Sequence, residues 1–263
     1  MSSSTNDDLQ MTFWEHLEEL RGRILKALVA FAVGAGVAWY FREKVLIWLT
    51  TPFVNAWTES ISDQRPALHF PAPASLFIAY LRLSLIAGFV FALPIIFYQI
   101  WAFVAPGLYA RERRFAIPFV LASTLLFLGG GYFGWKFAFP VAFKYLLDFS
   151  GSLHSESISI AIEPTVMIGD YIDFISRMLL AFGAVFELPV LVFFLSVAGI
   201  IDHTHLIKFS RYFVVLSFLI SAIITPPDIM SQFLLAIPLC LLYVLSIGIA
   251  WALGKKKAPA EST

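Results

Sequence analysis

Six stretches of this chain are long, apolar and almost free of charge: about residues 24–41, 75–98, 115–139, 173–197, 212–224 and 229–253. A helix needs roughly 20 such residues to cross about 30 Å of hydrocarbon. Inside a bilayer every backbone N–H and C=O must be satisfied within the protein, so spans of this kind can only be helices. The pattern predicts an all-α integral membrane protein with six transmembrane helices. Composition closes off the alternatives. Charged residues make up 14% and apolar residues 59% of the chain, against about 25% and 45–50% in soluble domains. That excludes a water-soluble enzyme and a disordered chain. With Lys+Arg 18 and Asp+Glu 18, there is no basic surplus for nucleic acid.

The fifth stretch has only thirteen uncharged residues, which cover about 20 Å as a helix. It must thin the bilayer, pack inside protein, or extend past its charged flank. Basic residues alternate along the chain. Arg21, Arg23, Lys26, Arg111, Arg113, Arg114, Lys208, Arg211 and Lys255–Lys257 fall on one side, and the other has only Arg42, Lys44, Arg65, Lys136 and Lys144. The positive-inside rule then places both termini in the cytoplasm. The polar, acidic start lacks a basic n-region, so the first span is expected to be retained as an anchor. The organisation expected is one domain over 1–263. It comprises an amphipathic cytoplasmic helix over 1–23, a six-span bundle over 24–253 and a polar cytoplasmic tail over 254–263. Two outside loops, about 42–74 and 140–172, are long. Residues 45–57 of the first read as a short interfacial helix.

A few polar residues stand out against this background. Thr12–Glu15 matches a helix-start capping box. Glu15, Glu18 and Glu19 then share one side of a helix whose apolar side carries Phe13, Leu17, Leu20 and Ile24. These acids are either a solvated face, with Glu19 and Arg23 as an i,i+4 pair, or a patch for a basic ligand. Glu112 lies among Arg111, Arg113 and Arg114 after a Pro106-Gly107 break, and is open to the same two readings. Glu187, two residues before Pro189, sits in the fourth span. An ionisable group there is costly, and by default faces a protein interior or a wet cavity. The bland alternative is a protonated acid bonded to a carbonyl that Pro189 frees. Asp173 and Arg177 are spaced to pair on one helix face, and Arg82 can snorkel outward. Pro226 and Pro227 force a turn between spans five and six. Asp228 is placed to N-cap the sixth, and the Gln232 amide needs a partner, either a buried polar contact or an interhelical bond.

No catalytic constellation is visible: there is no HExxH, GxSxG or phosphate-binding glycine loop. The sole cysteine, Cys240, leaves redox compartment open. His203 and His205 with Asp202 make at best a weak metal set, so neither metal nor cofactor is expected. A mid-membrane Glu also suits a small proton-coupled carrier, but that reading predicts an internal repeat, which is not visible.

Four blocks together resemble the TatC family, the multispanning subunit of the twin-arginine protein translocase. They are 16–23 (HLEELRGR), Pro94 with 98–114, 182–189 (FGAVFELP) and 225–238 (TPPDIMSQFLLAIP). They occur in the family's order across nearly the whole chain. The resemblance implies a cup-shaped bundle with short fifth and sixth spans in the bacterial cytoplasmic membrane, driven by the proton-motive force and not an enzyme. It implies that Glu19 and Glu112 engage the paired arginines of a signal peptide on folded cargo, with Arg21, Phe103 and Pro106 on the same surface. It implies that Glu187, Thr225 and Gln232 form a polar patch within the membrane that docks single-span TatA-type and TatB-type partners in an oligomeric complex. Arginine's planar fork grips a carboxylate bidentately in a way lysine cannot, which suits a receptor that selects arginine pairs.

Overall fold

The structure, a computed structural model, describes residues 13–61, 64–104, 116–154, 159–197, 199–225 and 227–253. It is helical apart from one small hairpin. Six helical stretches are long and apolar enough to cross a membrane, as the apolar runs predict.

The first helix, α1 (Phe13–Tyr40), is continuous. The amphipathic N-terminal helix and the first span are therefore one element. Gly22 costs about 1 kcal/mol against Ala in a helix interior, too little to break it. After a one-residue joint comes α2 (Arg42–Ser60), longer than the helix expected over 45–57. Leu49, Phe53, Ala56 and Trp57 on α2 are buried, so this face is occupied by protein.

The second span is α3 (Pro73–Val104), which carries Pro94 inside it. It packs along α1, and the crossing is set by small residues. A Cβ on Gly34 would come within 2.6 Å of the Gly88 carbonyl, and one on Gly88 would overlap the Ala35 backbone. Lipid tails are as apolar as leucine, so close backbone approach of this kind is what holds membrane helices together.

The third span is α4 (Ala116–Phe133), a π-helical turn (Gly134–Ala138) and α5 (Phe139–Leu147). It thus runs well into the region expected to be loop. α5 packs on α2, where Phe53, Phe143 and Tyr171 cluster with ring centroids 5.4–5.7 Å apart. The rest of that loop is an antiparallel hairpin, β1 (Gly151–His154) and β2 (Ser159–Ile162), pairing Gly151 with Ile162. The two long loops join where the His69 amide bonds to Val166 O at 2.9 Å and the Ile168 amide to His69 O at 2.8 Å.

The fourth span is α6 (Ile168–Phe186) followed by α7 (Leu188–Val197). It packs on α4 through interlocked small and large residues: a Cβ on Gly134 would strike the Phe182 ring, and one on Gly183 the Phe127 ring. The last two spans are α8 (His203–Ile224) and α9 (Ile229–Leu253), which pack on each other. Of the three options for the short fifth stretch, the helix takes the last. It runs past Arg211 and Lys208, both exposed, to an N-cap at Asp202. Pro238 lies inside α9 without ending it.

Two charge pairings differ from expectation. Asp173 does not pair with Arg177 one turn on. It accepts from Arg82 Nη1 at 2.7 and 2.6 Å across the α3–α6 contact. Arg82 therefore spends its charge on a neighbouring helix instead of snorkelling.

Candidate functional site

The first candidate lies where α1 begins and α3 ends. The His16 ring stacks on Phe103, with centroids 4.3 Å apart and planes 16° from parallel. That contact ties the first turns of α1 to the last turn of α3, and brings Glu19 and Phe103 to one place. Arg23 Nε donates to Glu19 Oε1 at 3.0 Å, and Arg23 Nη2 bonds the same oxygen. The i,i+4 pair therefore exists, but it takes one oxygen only. Glu19 Oε2 is enclosed and has no hydrogen-bond partner, and His16 Nδ1 stops 3.8 Å from it. Arg21, two residues on, is exposed. Pro106 and Glu112 lie outside the described residues, so Glu19, Arg21 and Phe103 are the part of the expected surface that can be placed.

The second candidate is Glu187. Pro189 has no N–H, and its ring excludes the carbonyl four residues back. The span breaks accordingly into α6 and α7 with Glu187 between them. The Glu187 amide bonds back to Ala184 O at 3.1 Å, and the Leu191 amide picks up Glu187 O at 2.9 Å. The side chain turns to α4, where the Ser123 hydroxyl and the Phe127 backbone are its polar neighbours. Even so, Glu187 Oε1, Ser123 Oγ and Thr124 Oγ1 are all buried without a hydrogen-bond partner. Ser123 is fully buried. Native proteins leave few such atoms.

Thr225 and Gln232 each have a hydrogen-bond partner within the bundle. Thr225 Oγ1 donates to Ser221 O at 2.9 Å. Gln232 Nε2 donates to Phe218 O at 3.1 Å, which makes it an interhelical bond between α9 and α8. Asp228 Oδ1 accepts from the Ser231 amide at 2.7 Å and caps α9. Pro227 is exposed in the turn, and Pro226 is outside the described residues. Glu187's polar neighbours belong to α4.

Sequence reasoning missed Ser123 and Thr124. The signal was available: two adjacent hydroxyls in an otherwise apolar span, followed by Gly129, Gly130 and Gly131, residues that let another helix come close. It also missed His16 as the contact that joins Glu19 to Phe103. Near the same helix end, Trp101 Nε1 and Gln99 Oε1 are buried without partners, and the Trp101 ring packs on Phe119 and Phe194 with centroids 4.9 Å apart. Asp202, considered for metal, accepts from the His203 amide at 2.8 Å and the Thr204 hydroxyl at 2.9 Å. Its carboxyl is held below the usual carboxylate range, chiefly by the Thr204 hydroxyl. Its role is to cap α8. No cluster of metal-ligating side chains occurs among the described residues.

The model of the family described as Sec-independent protein translocase protein (TatC) matches residues 15–238. The Sec-independent protein translocase protein TatC of Koribacter versatilis (strain Ellin345) is 41% identical over 247 residues, 94% of this chain and 87% of that protein. The protein of the same name from Aquifex aeolicus (strain VF5) is 37% identical over 251 residues, 94% of this chain and 98% of that one. A crystal structure of the twin arginine translocase receptor TatC superposes with a TM-score of 0.75 at 38% identity, covering 90% of this chain and 98% of that one.

Proposed function

The chain belongs to the TatC family of Sec-independent protein translocases, and from that premise we propose that it is the receptor of a twin-arginine export system. As a family member it is a multi-pass protein of the bacterial inner membrane and a transport component that works in a complex. The proposal concerns what it binds and where. Glu19 takes an arginine of the signal peptide's pair, with Arg21, Phe103, Pro106 and Glu112 around it. Glu187, with Thr225 and Gln232, forms a polar patch within the membrane that docks single-span partners of the TatA or TatB type. Both termini face the cytoplasm, where the excess of bases lies.

One observation carries the receptor reading: Glu19 keeps an enclosed oxygen unpaired although Arg23 is already bonded to the other. A carboxylate with one oxygen held and one free accepts a second guanidinium without breaking the first contact. Hydrogen bonds to a charged acceptor are worth about 1.5–3 kcal/mol each. The experiment is affinity purification of the full chain in mild detergent from cells expressing an arginine-pair precursor. Precursor and single-span proteins are expected to come along, and the precursor is expected to be lost when its arginines are replaced by lysines. Recovery of the lysine-pair precursor at equal yield would sink the receptor assignment.

A further inference from the structure

We propose that a cavity between α2, α3, α4 and α6 is a phospholipid site. It takes one acyl chain, and its mouth holds the lipid's phosphate at Lys44. The cavity is about 500 Å³. Its wall is made by Trp48 on α2, Leu83 and Val90 on α3, Leu128 on α4 and Leu179 on α6, among others. Along α3 it runs from Leu83 to Phe91, about 12 Å of helix. An apolar cavity of this size holds no ordered water, because water needs two to four polar partners.

Size selects the occupant. One turn of α-helix, about 10 Å wide with a 5.4 Å pitch, fills roughly 400 Å³. A docked transmembrane helix would find room for little more than a turn, whereas a single alkyl chain is slender enough to enter end-on. Charge at the mouth points the same way. Lys44 lines the cavity and is exposed. Its ammonium lies 5.6 Å over the Phe41 ring, and no ion pair holds it among the described residues. Neighbouring Arg42 is engaged by the Trp39 carbonyl at 3.1 Å. Trp48 and Tyr132, which line the cavity and both pack on the Trp135 ring, are of the residue types that settle at the headgroup level. The wall has one polar interruption: Ser176, 5% exposed, lines the cavity with its hydroxyl buried and unpartnered.

The site does not depend on the receptor reading, because its test uses no signal peptide. The full chain is reconstituted in nanodiscs of phosphatidylglycerol and phosphatidylethanolamine doped with a phosphatidylglycerol bearing a diazirine on one acyl chain. Labelled residues are mapped by mass spectrometry. Labelling is expected to concentrate on Val90, Leu128 and Leu179 relative to bilayer-facing Val33 and Val215. Lys44→Glu should reduce it about three- to fivefold, the scale of one exposed charge pair, and Val90→Trp, which fills the cavity, should abolish the enrichment. Lys44→Glu changes a solvent-exposed side chain, so it remains informative should the tryptophan variant fail to fold. Labelling spread evenly over Val33, Val215 and the cavity residues would overturn the proposal. So would enrichment that Lys44→Glu leaves unchanged.

Discussion

Glu19→Gln tests the receptor site with the least disturbance of the fold. Glutamine matches glutamate in size and helix propensity. What the free protein loses is the contact with Arg23, a partly exposed i,i+4 pair whose side chains are 22% and 19% exposed, worth about 0.3–0.5 kcal/mol. The helix should therefore stay folded. The complex loses more. A guanidinium on Oε2 makes a charge-assisted bond worth about 1.5–3 kcal/mol, so Kd should rise about 10- to 150-fold. The assay is fluorescence anisotropy of a labelled arginine-pair signal peptide against the full chain in nanodiscs, beside a lysine-pair peptide. Wild type should prefer arginine, and Glu19→Gln should lose most of that preference. Arg23→Ala is the control. It frees both oxygens of Glu19 and should leave affinity equal or tighter. Binding by Glu19→Gln within twofold of wild type would refute the reasoning. Equal damage by Arg23→Ala would also refute it, because then the existing pair, and not the free oxygen, is what matters.

Glu187→Ala should cut recovery of single-span partners in a pull-down while leaving arginine-pair peptide binding near wild type. Proton flux through reconstituted, partner-free wild type that vanishes in this variant would favour a carrier instead. Gly88→Ala should lower the thermal midpoint in detergent, because its Cβ would overlap the Ala35 backbone and overpacking costs about 1–3 kcal/mol. Gly36→Ala, with nothing within 4 Å of the new Cβ, should be neutral or stabilising, and equal loss in the two would count against the crossing. The Asp202 cap has a lowered folded-state pKa, so its contribution is complete above the unfolded carboxylate pKa and is lost as pH falls through the folded one. Thermal midpoints measured from neutral to acidic pH should show that loss in wild type and not in Asp202→Asn.

What the sequence made legible was whatever one helix settles alone. Apolar runs located six helices, because a bilayer leaves the backbone no other option. Pro189 located the break at Glu187, and Asp228 the cap of α9. Helix ends were less legible. Lys208 and Arg211 look like a boundary to the fifth span, yet long basic side chains can lie along a helix and reach water. Asp202, a good N-cap, marks the true start. Pairings between helices were not legible at all. Asp173 had Arg177 in reach on its own helix, and only the packing of α3 against α6 decided for Arg82. In the same way, Ser123 meets Glu187 because Gly130, Gly134 and Gly183 let α4 and α6 come together, and no periodicity along one segment encodes that.

Glu19 and Glu187, like the capping Asp228, each keep an enclosed carboxylate oxygen with no hydrogen-bond donor. Leaving such a group unmade costs about 1–3 kcal/mol, and Gln or Ala at either position would lessen the cost. In the receptor proposed above, that donor comes with the ligand. Position then decides what kind of donor each site can receive. Glu19 lies in the first turns of α1, near the stacked His16 and Phe103 rings, where a hydrated guanidinium arrives without entering hydrocarbon. Glu187 lies at a helix break against α4, where a cation arriving through the bilayer would cost at least a few kcal/mol. A neutral amide or hydroxyl on a partner's own span satisfies the oxygen at far lower cost, and Ser123 beside it leaves a further hydroxyl to complete the contact. One type of side chain, half-satisfied at two depths, thus suits an arginine-bearing peptide at one and a membrane-borne helix at the other.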